Sequence, residues 1–243
     1  YLKNKLNIIK MYKLLLLLIM ATLELRKDEL DSPIYNLRVN HLKKPFGIDI
    51  KNNIFSFLSE ESGPFQASLI LDDKIIQTKS VSLNESISFA FDEPLEYNKI
   101  YKYIVESSSS KSELTFETAL KLEAPFIKPK NKDLFSPIFF KDFKIVKEIK
   151  KARLYITGLG LYQAFINGNK VGNAYLTPGF NDYDYYLRYQ TYDISELLQE
   201  ENNIEVHMGD GWYKGRIGFV GNGTIFGDEY KLCLNLVIEY KDN

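Results

Sequence analysis

Apolar and polar positions alternate in short runs from residue 34 onward. Ser86-Ile87-Ser88-Phe89-Ala90-Phe91 is the plainest case: one face apolar, the other polar or small, the period-two signature of a half-buried strand. Runs rich in β-branched and aromatic residues at 37–42, 54–58, 67–71, 87–91, 101–105 and 114–116 predict strands about 8–16 residues apart, as in a small antiparallel sandwich. Residues 34–122 are therefore expected to form one fibronectin type III or Ig-like module. A Pro- and Lys-rich stretch, 123–132, reads as a linker. A second β-rich module follows over 133–243, with strands expected at 152–156, 162–166, 188–192, 204–208 and 232–240. Asn167-Gly168 predicts a two-residue hairpin turn, and Asp193 is placed to cap a short helical turn over 193–198. The fold class expected is all-β: two consecutive antiparallel sandwiches, the second jelly-roll-like.

Ahead of the first strand, 1–33 has a different texture. Lys3, Lys5, Lys10 and Lys13 precede an apolar run at 14–21 ending in Ala21. A basic segment, about eight apolar residues and a small residue resemble a secretory signal, while a run this short falls well below the roughly 20 residues of a membrane span. The alternative is an upstream helix, so the chain is expected to be cytoplasmic or secreted/periplasmic according to whether 1–21 is a signal.

Composition narrows the chemistry. With 31 basic and 32 acidic residues among 243, net charge is −1, so no electrostatic footprint for nucleic acid exists. One cysteine, Cys233, excludes an internal disulfide and a Cys-based zinc site, and two histidines, His41 and His207, leave little for a His-rich metal site or a catalytic triad. Glu60-Glu61 and Asp72-Asp73 read as solvated turns. The glycine-rich stretch 218–227 lacks a phosphate-binding signature and reads as a surface loop. Asn84-Glu85-Ser86 and Asn222-Gly223-Thr224 match the short glycosylation pattern.

Two constellations remain. Thr177-Pro178-Gly179-Phe180-Asn181-Asp182-Tyr183-Asp184-Tyr185-Tyr186 interleaves aromatics with carboxylates, which suits a sugar: rings pack on C–H faces and carboxylates accept from hydroxyls. Asp182 and Asp184 are also hard oxygen ligands suited to Ca²⁺, the one cofactor candidate. The competing reading is an Asp-capped loop with its tyrosines packed on the sandwich. In Gly209-Asp210-Gly211-Trp212-Tyr213-Lys214-Gly215 the glycines permit a tight turn presenting the chain's only Trp. Trp212 is either a stacking platform or a core plug, and a core or partly buried position fits the turn better. Asp182, Asp184, Asp210 and Trp212 are the candidate carbohydrate-binding residues.

The second module resembles the N-terminal β-sandwich of bacterial α-L-rhamnosidases. The resemblance rests on Ala152-Arg153-Leu154-Tyr155-Ile156-Thr157-Gly158, Ile166-Asn167-Gly168, Leu176-Thr177-Pro178-Gly179-Phe180-Asn181-Asp182-Tyr183, Tyr189-Gln190-Thr191-Tyr192-Asp193 and Gly209-Asp210-Gly211-Trp212-Tyr213-Lys214-Gly215, in the family's order. Phe180 stands where the family usually has Trp. The first module is similar to the fibronectin-type sandwich that precedes it, with Phe57 where Trp is common. The resemblance implies that hydrolysis of terminal α-L-rhamnosides belongs to an (α/α)₆ barrel absent from this sequence, so no catalytic residue is expected here. The expected partners are a rhamnose-containing glycan and that barrel, with no nucleic acid and no membrane span. Two other readings are sandwiches that only brace the barrel, and a free-standing glycan-binding surface module.

Overall fold

The computed structural model describes residues 32–82, 88–131, 133–217 and 221–242. The signal-like start, the Asn84 acceptor pattern, residues 218–220 of the glycine-rich stretch and Ser86 and Ile87 of the alternating run lie outside them. The chain divides into two compact units, one ending at Ala119 and the other beginning at Leu120.

In the first unit, β1 (Ile34–Val39), β2 (Phe55–Ser59) and β5 (Ser88–Phe89) form a three-stranded antiparallel sheet. Opposite it, β4 (Lys74–Val81), β3 (Phe65–Leu71), β6 (Ile100–Glu106) and β7 (Lys111–Glu117) form a four-stranded sheet in that order. Alternation drives the assembly: Phe55 and Phe57 of β2, Phe65, Ala67 and Leu69 of β3, and Tyr101, Tyr103 and Val105 of β6 are buried every second residue. Phe55 sits at the centre, its ring 4.9 Å from Phe91 and 5.2 Å from Tyr103, both edge-on, a geometry that favours aromatic pairs beyond their area. The strand β4 is absent from the sequence expectation because, as an outer strand, it leaves Ile75 and Ile76 exposed and carries Lys74 and Lys79. Its turn is Asp72-Asp73, both with positive φ, as a two-residue hairpin with matching twist requires.

Two tyrosines separate hydroxyl from ring. Tyr101 accepts from the Glu96 N–H at 2.8 Å, whereas the wholly buried Tyr103 hydroxyl has no partner among the described residues and burial pushes its phenol far up. Tyr103→Phe removes only an unsatisfied group, so stability is expected to hold or rise by up to about 1 kcal/mol. Tyr101→Phe is expected to lower it by about 1 kcal/mol. Urea unfolding of the pair checks both signs.

The second unit packs β11 (Asn169–Lys170), β10 (Leu161–Ile166), β13 (Glu201–Gly209) and β8 (Ile138–Lys144), in that order, against β12 (Gln190–Asp193), β9 (Ile149–Leu159) and β16 (Lys231–Tyr240). Every pairing is antiparallel. Ala152, Leu154 and Ile156 of β9 meet Tyr162, Ala164 and Ile166 of β10 and Val206 and Met208 of β13 in one core. The Asn167-Gly168 turn has both residues at positive φ, joining β10 to β11. The short helical turn is a 3₁₀ turn over Ser195–Leu197, and Asp193 accepts from the Ser195 N–H at 3.0 Å. The chain at 124–127 also lies on this unit, Ile127 bridging antiparallel to Leu232. The strand β8, whose Ile138 and Phe140 stay exposed, escapes sequence reading, and β11 is only two residues long.

The Asp193 carboxyl is held below its usual range: burial opposes this, but hydrogen bonds from Ser195 and the Arg153 guanidinium at 2.7 Å outweigh it. A depressed folded pKa stabilises above the ordinary Asp range and that contribution disappears as pH falls through the folded value. With the carboxylate half exposed, the effect is discounted to under about 1 kcal/mol. Asp193→Asn is therefore expected to be weaker than the parent at pH 7, the gap closing as pH falls through the folded value, by chemical denaturation along a descending pH series.

Candidate functional site

Two connections converge on one end of the second unit. The first, 171–189, is fixed from beneath. The Tyr162 N–H donates to the Thr177 carbonyl at 2.8 Å, and the Thr177 hydroxyl returns to the Tyr162 carbonyl at 2.6 Å. The Tyr162 hydroxyl donates to Gln190 at 2.6 Å, whose amide N–H reaches the Pro178 carbonyl at 3.3 Å. Asn181, with no exposed surface, accepts from the Arg188 N–H at 3.0 Å and donates to the Gly179 carbonyl at 3.3 Å. Polar residues thus occupy the inside of this loop and aromatic ones its outside: Phe180, Tyr185 and Tyr186 are 51%, 85% and 52% exposed.

The second connection, 210–230, contains α1 (Gly211–Lys214), a single turn, and the hairpin β14 (Arg216–Ile217) with β15 (Asn222–Gly223). Gly211 has φ +54°, and a Cβ there would stand 2.5 Å from Leu161, so the turn needs glycine. Tyr213 points inward and is buried; Trp212 is half-buried. Gly227 runs so close that a Cβ would overlap the Tyr213 hydroxyl.

The loops meet through rings. Phe180 lies 6.3 Å from Trp212, edge-on, and 6.3 Å from Phe226; Tyr183 lies 5.1 Å from Tyr213 and 4.9 Å from Phe226. The Tyr183 phenol is pushed up by burial, and the Tyr213 phenol by burial and by Asp228 and Glu229. The result is a half-buried aromatic floor with Phe180 and Trp212 toward solvent.

The four sequence candidates separate on this geometry. Trp212 is part of the aromatic floor. Asp182 and Asp184 flank Tyr183 on the exposed turn, and among the described residues neither carboxylate has a hydrogen-bond or ion-pair partner; the turn itself is closed by the Asp182 carbonyl, which accepts from Tyr185 and Tyr186. Asp210 is engaged within the fold: it takes a short hydrogen bond from the Tyr230 hydroxyl and lies 3.9 Å from the Lys214 ammonium. Burial and that carboxylate push the Tyr230 phenol up to about 12. Sequence reasoning passed over Tyr213 as the inward residue, and over Phe226 altogether. Gly227 was the available signal for both, since its missing side chain makes room for Tyr213.

Asp182 and Asp184, the calcium candidates, have no third acidic side chain gathered beside them among the described residues, and Ca²⁺ takes six to eight oxygens. An apolar groove of about 550 Å³ in the same unit, lined by residues such as Phe139, Phe143 and Leu236, includes none of the candidates. Among the described residues no helix is long and apolar enough to cross a membrane.

Fold and loops together define an all-β chain of tandem antiparallel sandwiches, the second carrying an aromatic loop face. Residues 147–243 match the alpha-L-rhamnosidase N-terminal domain, so the second unit is similar to that domain over most of its length. An alpha-L-rhamnosidase of Streptomyces avermitilis is 39% identical over 97 residues, 40% of this chain and 9% of that protein. One from Alteromonas sp. is 30% identical over 120 residues, 48% of this chain and 13% of that protein. Among solved structures, native α-L-rhamnosidase from Aspergillus terreus superposes with a TM-score of 0.71 at 28% identity, covering 87% of this chain and 28% of that one. The enzyme from Dictyoglumus thermophilum gives 0.71 at 27%, covering 86% and 28%. Streptomyces avermitilis α-L-rhamnosidase complexed with L-rhamnose shares the fold, with a TM-score of 0.66 at 14% identity, over 87% of this chain and 40% of that one. The match thus spans about a tenth of the curated relatives' length, and the catalytic barrel is absent from these 243 residues.

Proposed function

We propose that this chain is the accessory N-terminal region of an α-L-rhamnosidase and that its second unit contributes carbohydrate recognition. Hydrolysis of terminal α-L-rhamnosides would rest with an (α/α)₆ barrel elsewhere in the parent protein. One observation carries the reading: exposed Phe180 and half-buried Trp212 form a floor beside Asp182 and Asp184, whose carboxylates are free to accept from sugar hydroxyls. An open platform of this kind suits one weakly held sugar ring, with affinity in the millimolar range, roughly −4 kcal/mol. The first unit, with three strands facing four, suits a fibronectin type III-like spacer.

A second reading, that the sandwiches only brace the barrel, draws on Asp210, whose carboxylate serves Tyr230 and Lys214 rather than solvent. Two assays on the same sample separate the readings. Aryl α-L-rhamnosides are expected to stay intact, since hydrolysis needs two carboxyl groups placed across the glycosidic bond, while NMR titration with L-rhamnose is expected to shift resonances of 177–186 and 211–214. Turnover that survives repurification contradicts the division of labour; no shift at saturating sugar favours the bracing role.

A further inference from the structure

The single turn α1 is too short to hold its own place, since one helical turn fixes several residues for few hydrogen bonds. Asp210, just before it, already has helical φ and ψ of −55° and −49°, so Asp210 and Lys214 stand one turn apart on one face. Both are fastened to Tyr230. Its hydroxyl donates a short hydrogen bond to the Asp210 carboxylate, and the Lys214 ammonium lies 4.2 Å from the centre of its ring and 3.9 Å from the same carboxylate. A cation over a ring is attracted most where water is scarce, and the Lys214 side chain is only 16% exposed. Tyr230 itself is buried in the core of the second unit, where a Cβ at Gly160 would stand 3.3 Å from its ring.

Trp212 lies two positions from both Asp210 and Lys214, and so about 200° round the turn from Asp210, on the far face. There its ring meets Phe180 edge-on at 6.3 Å. The roll of α1 about its own axis therefore decides whether Trp212 meets Phe180, and a grip on the opposite face governs that roll. We propose that Tyr230 is a positioning residue of the aromatic floor: by holding Asp210 and Lys214 it fixes the roll of α1 and so the setting of Trp212. The sandwich core thereby lends its rigidity to a half-buried ring on a loop. The consequence for sugar affinity rests on the carbohydrate reading; the setting of Trp212 does not.

Tyr230→Phe tests this, because the ring stays in the core and under the ammonium while the hydroxyl is lost. The indole of Trp212, the only tryptophan, reports the outcome without ligand. Its emission is expected to shift to the red and to be quenched more steeply by acrylamide. With L-rhamnose as the probe, a turn that keeps the productive setting about a tenth of the time binds about tenfold more weakly, and a loss of that order is expected. The hydroxyl also meets the Ser136 backbone, so Asp210→Ala, which leaves that contact alone, is the second variant. It is expected to reproduce the emission change, and the double variant to add little, since each single change breaks the same interaction. Tyr101→Phe in the first unit is the control: it too loses a hydrogen bond at a buried phenol, and it is expected to alter neither emission nor affinity. Parental emission and quenching in Tyr230→Phe or Asp210→Ala overturns the proposal, as do effects that add in full. If Tyr230→Phe does not fold, Asp210→Ala decides alone. A parent indifferent to rhamnose, or variants whose affinity holds while emission changes, count against the carbohydrate reading and leave the positioning role standing.

Discussion

Tyr213→Ala is expected to destabilise the second unit by about 3–4 kcal/mol, the range for truncating a buried aromatic whose site cannot collapse. Tyr213 is 8% exposed, its ring meets Tyr183 at 5.1 Å, and Gly227 is shaped around its hydroxyl. Removing it undermines both loops at once. Its neighbour should behave otherwise: half-buried Trp212 touches Phe180 at 6.3 Å, so Trp212→Ala is expected to cost about 1 kcal/mol and to remove sugar binding. Chemical denaturation of the two variants side by side checks this, and equal losses would place Trp212 in the core instead.

Asn181→Ala is the second large effect. The side chain lies wholly inside the loop and satisfies the Arg188 N–H and the Gly179 carbonyl. Alanine removes the partner of both groups, at about 1–3 kcal/mol for a group left stranded. A loss of about 2–3 kcal/mol is expected by urea unfolding, with rhamnose affinity falling beyond measurement because Phe180 and Asp182 flank the lost anchor. Phe180→Ala, by contrast, should lose affinity at nearly unchanged stability, since that ring is half exposed.

What the sequence revealed followed from physical constraint. Strands with one buried face, such as β6, β10 and β13, declare themselves by alternation, and the Asn167-Gly168 turn by its need for positive φ. Where that constraint relaxes the signal fades. The outer strand β4 shows apolar Ile75 and Ile76 to solvent, and β8 places Phe139 and Phe140 in succession because one side of it is open. The aromatic composition of the site was legible, but its division of roles was not. Nothing in Trp212-Tyr213 says which ring turns inward; that is set by Gly211 at positive φ against Leu161 and by the space beside Gly227. Asp210 looked like Asp182 and Asp184 in sequence, yet Tyr230, twenty positions away, engages it.

Trp212 is the only tryptophan and stands in the proposed platform, so its indole emission reports on the central claim without a label. Titration with L-rhamnose is expected to give a saturable change with its midpoint in the millimolar range, roughly −4 kcal/mol. The change should be lost in Phe180→Ala, and repeating the titration in chelator shows whether Ca²⁺ takes part. Emission indifferent to rhamnose up to about 100 mM, some tenfold or more beyond that midpoint, would contradict carbohydrate recognition by this unit.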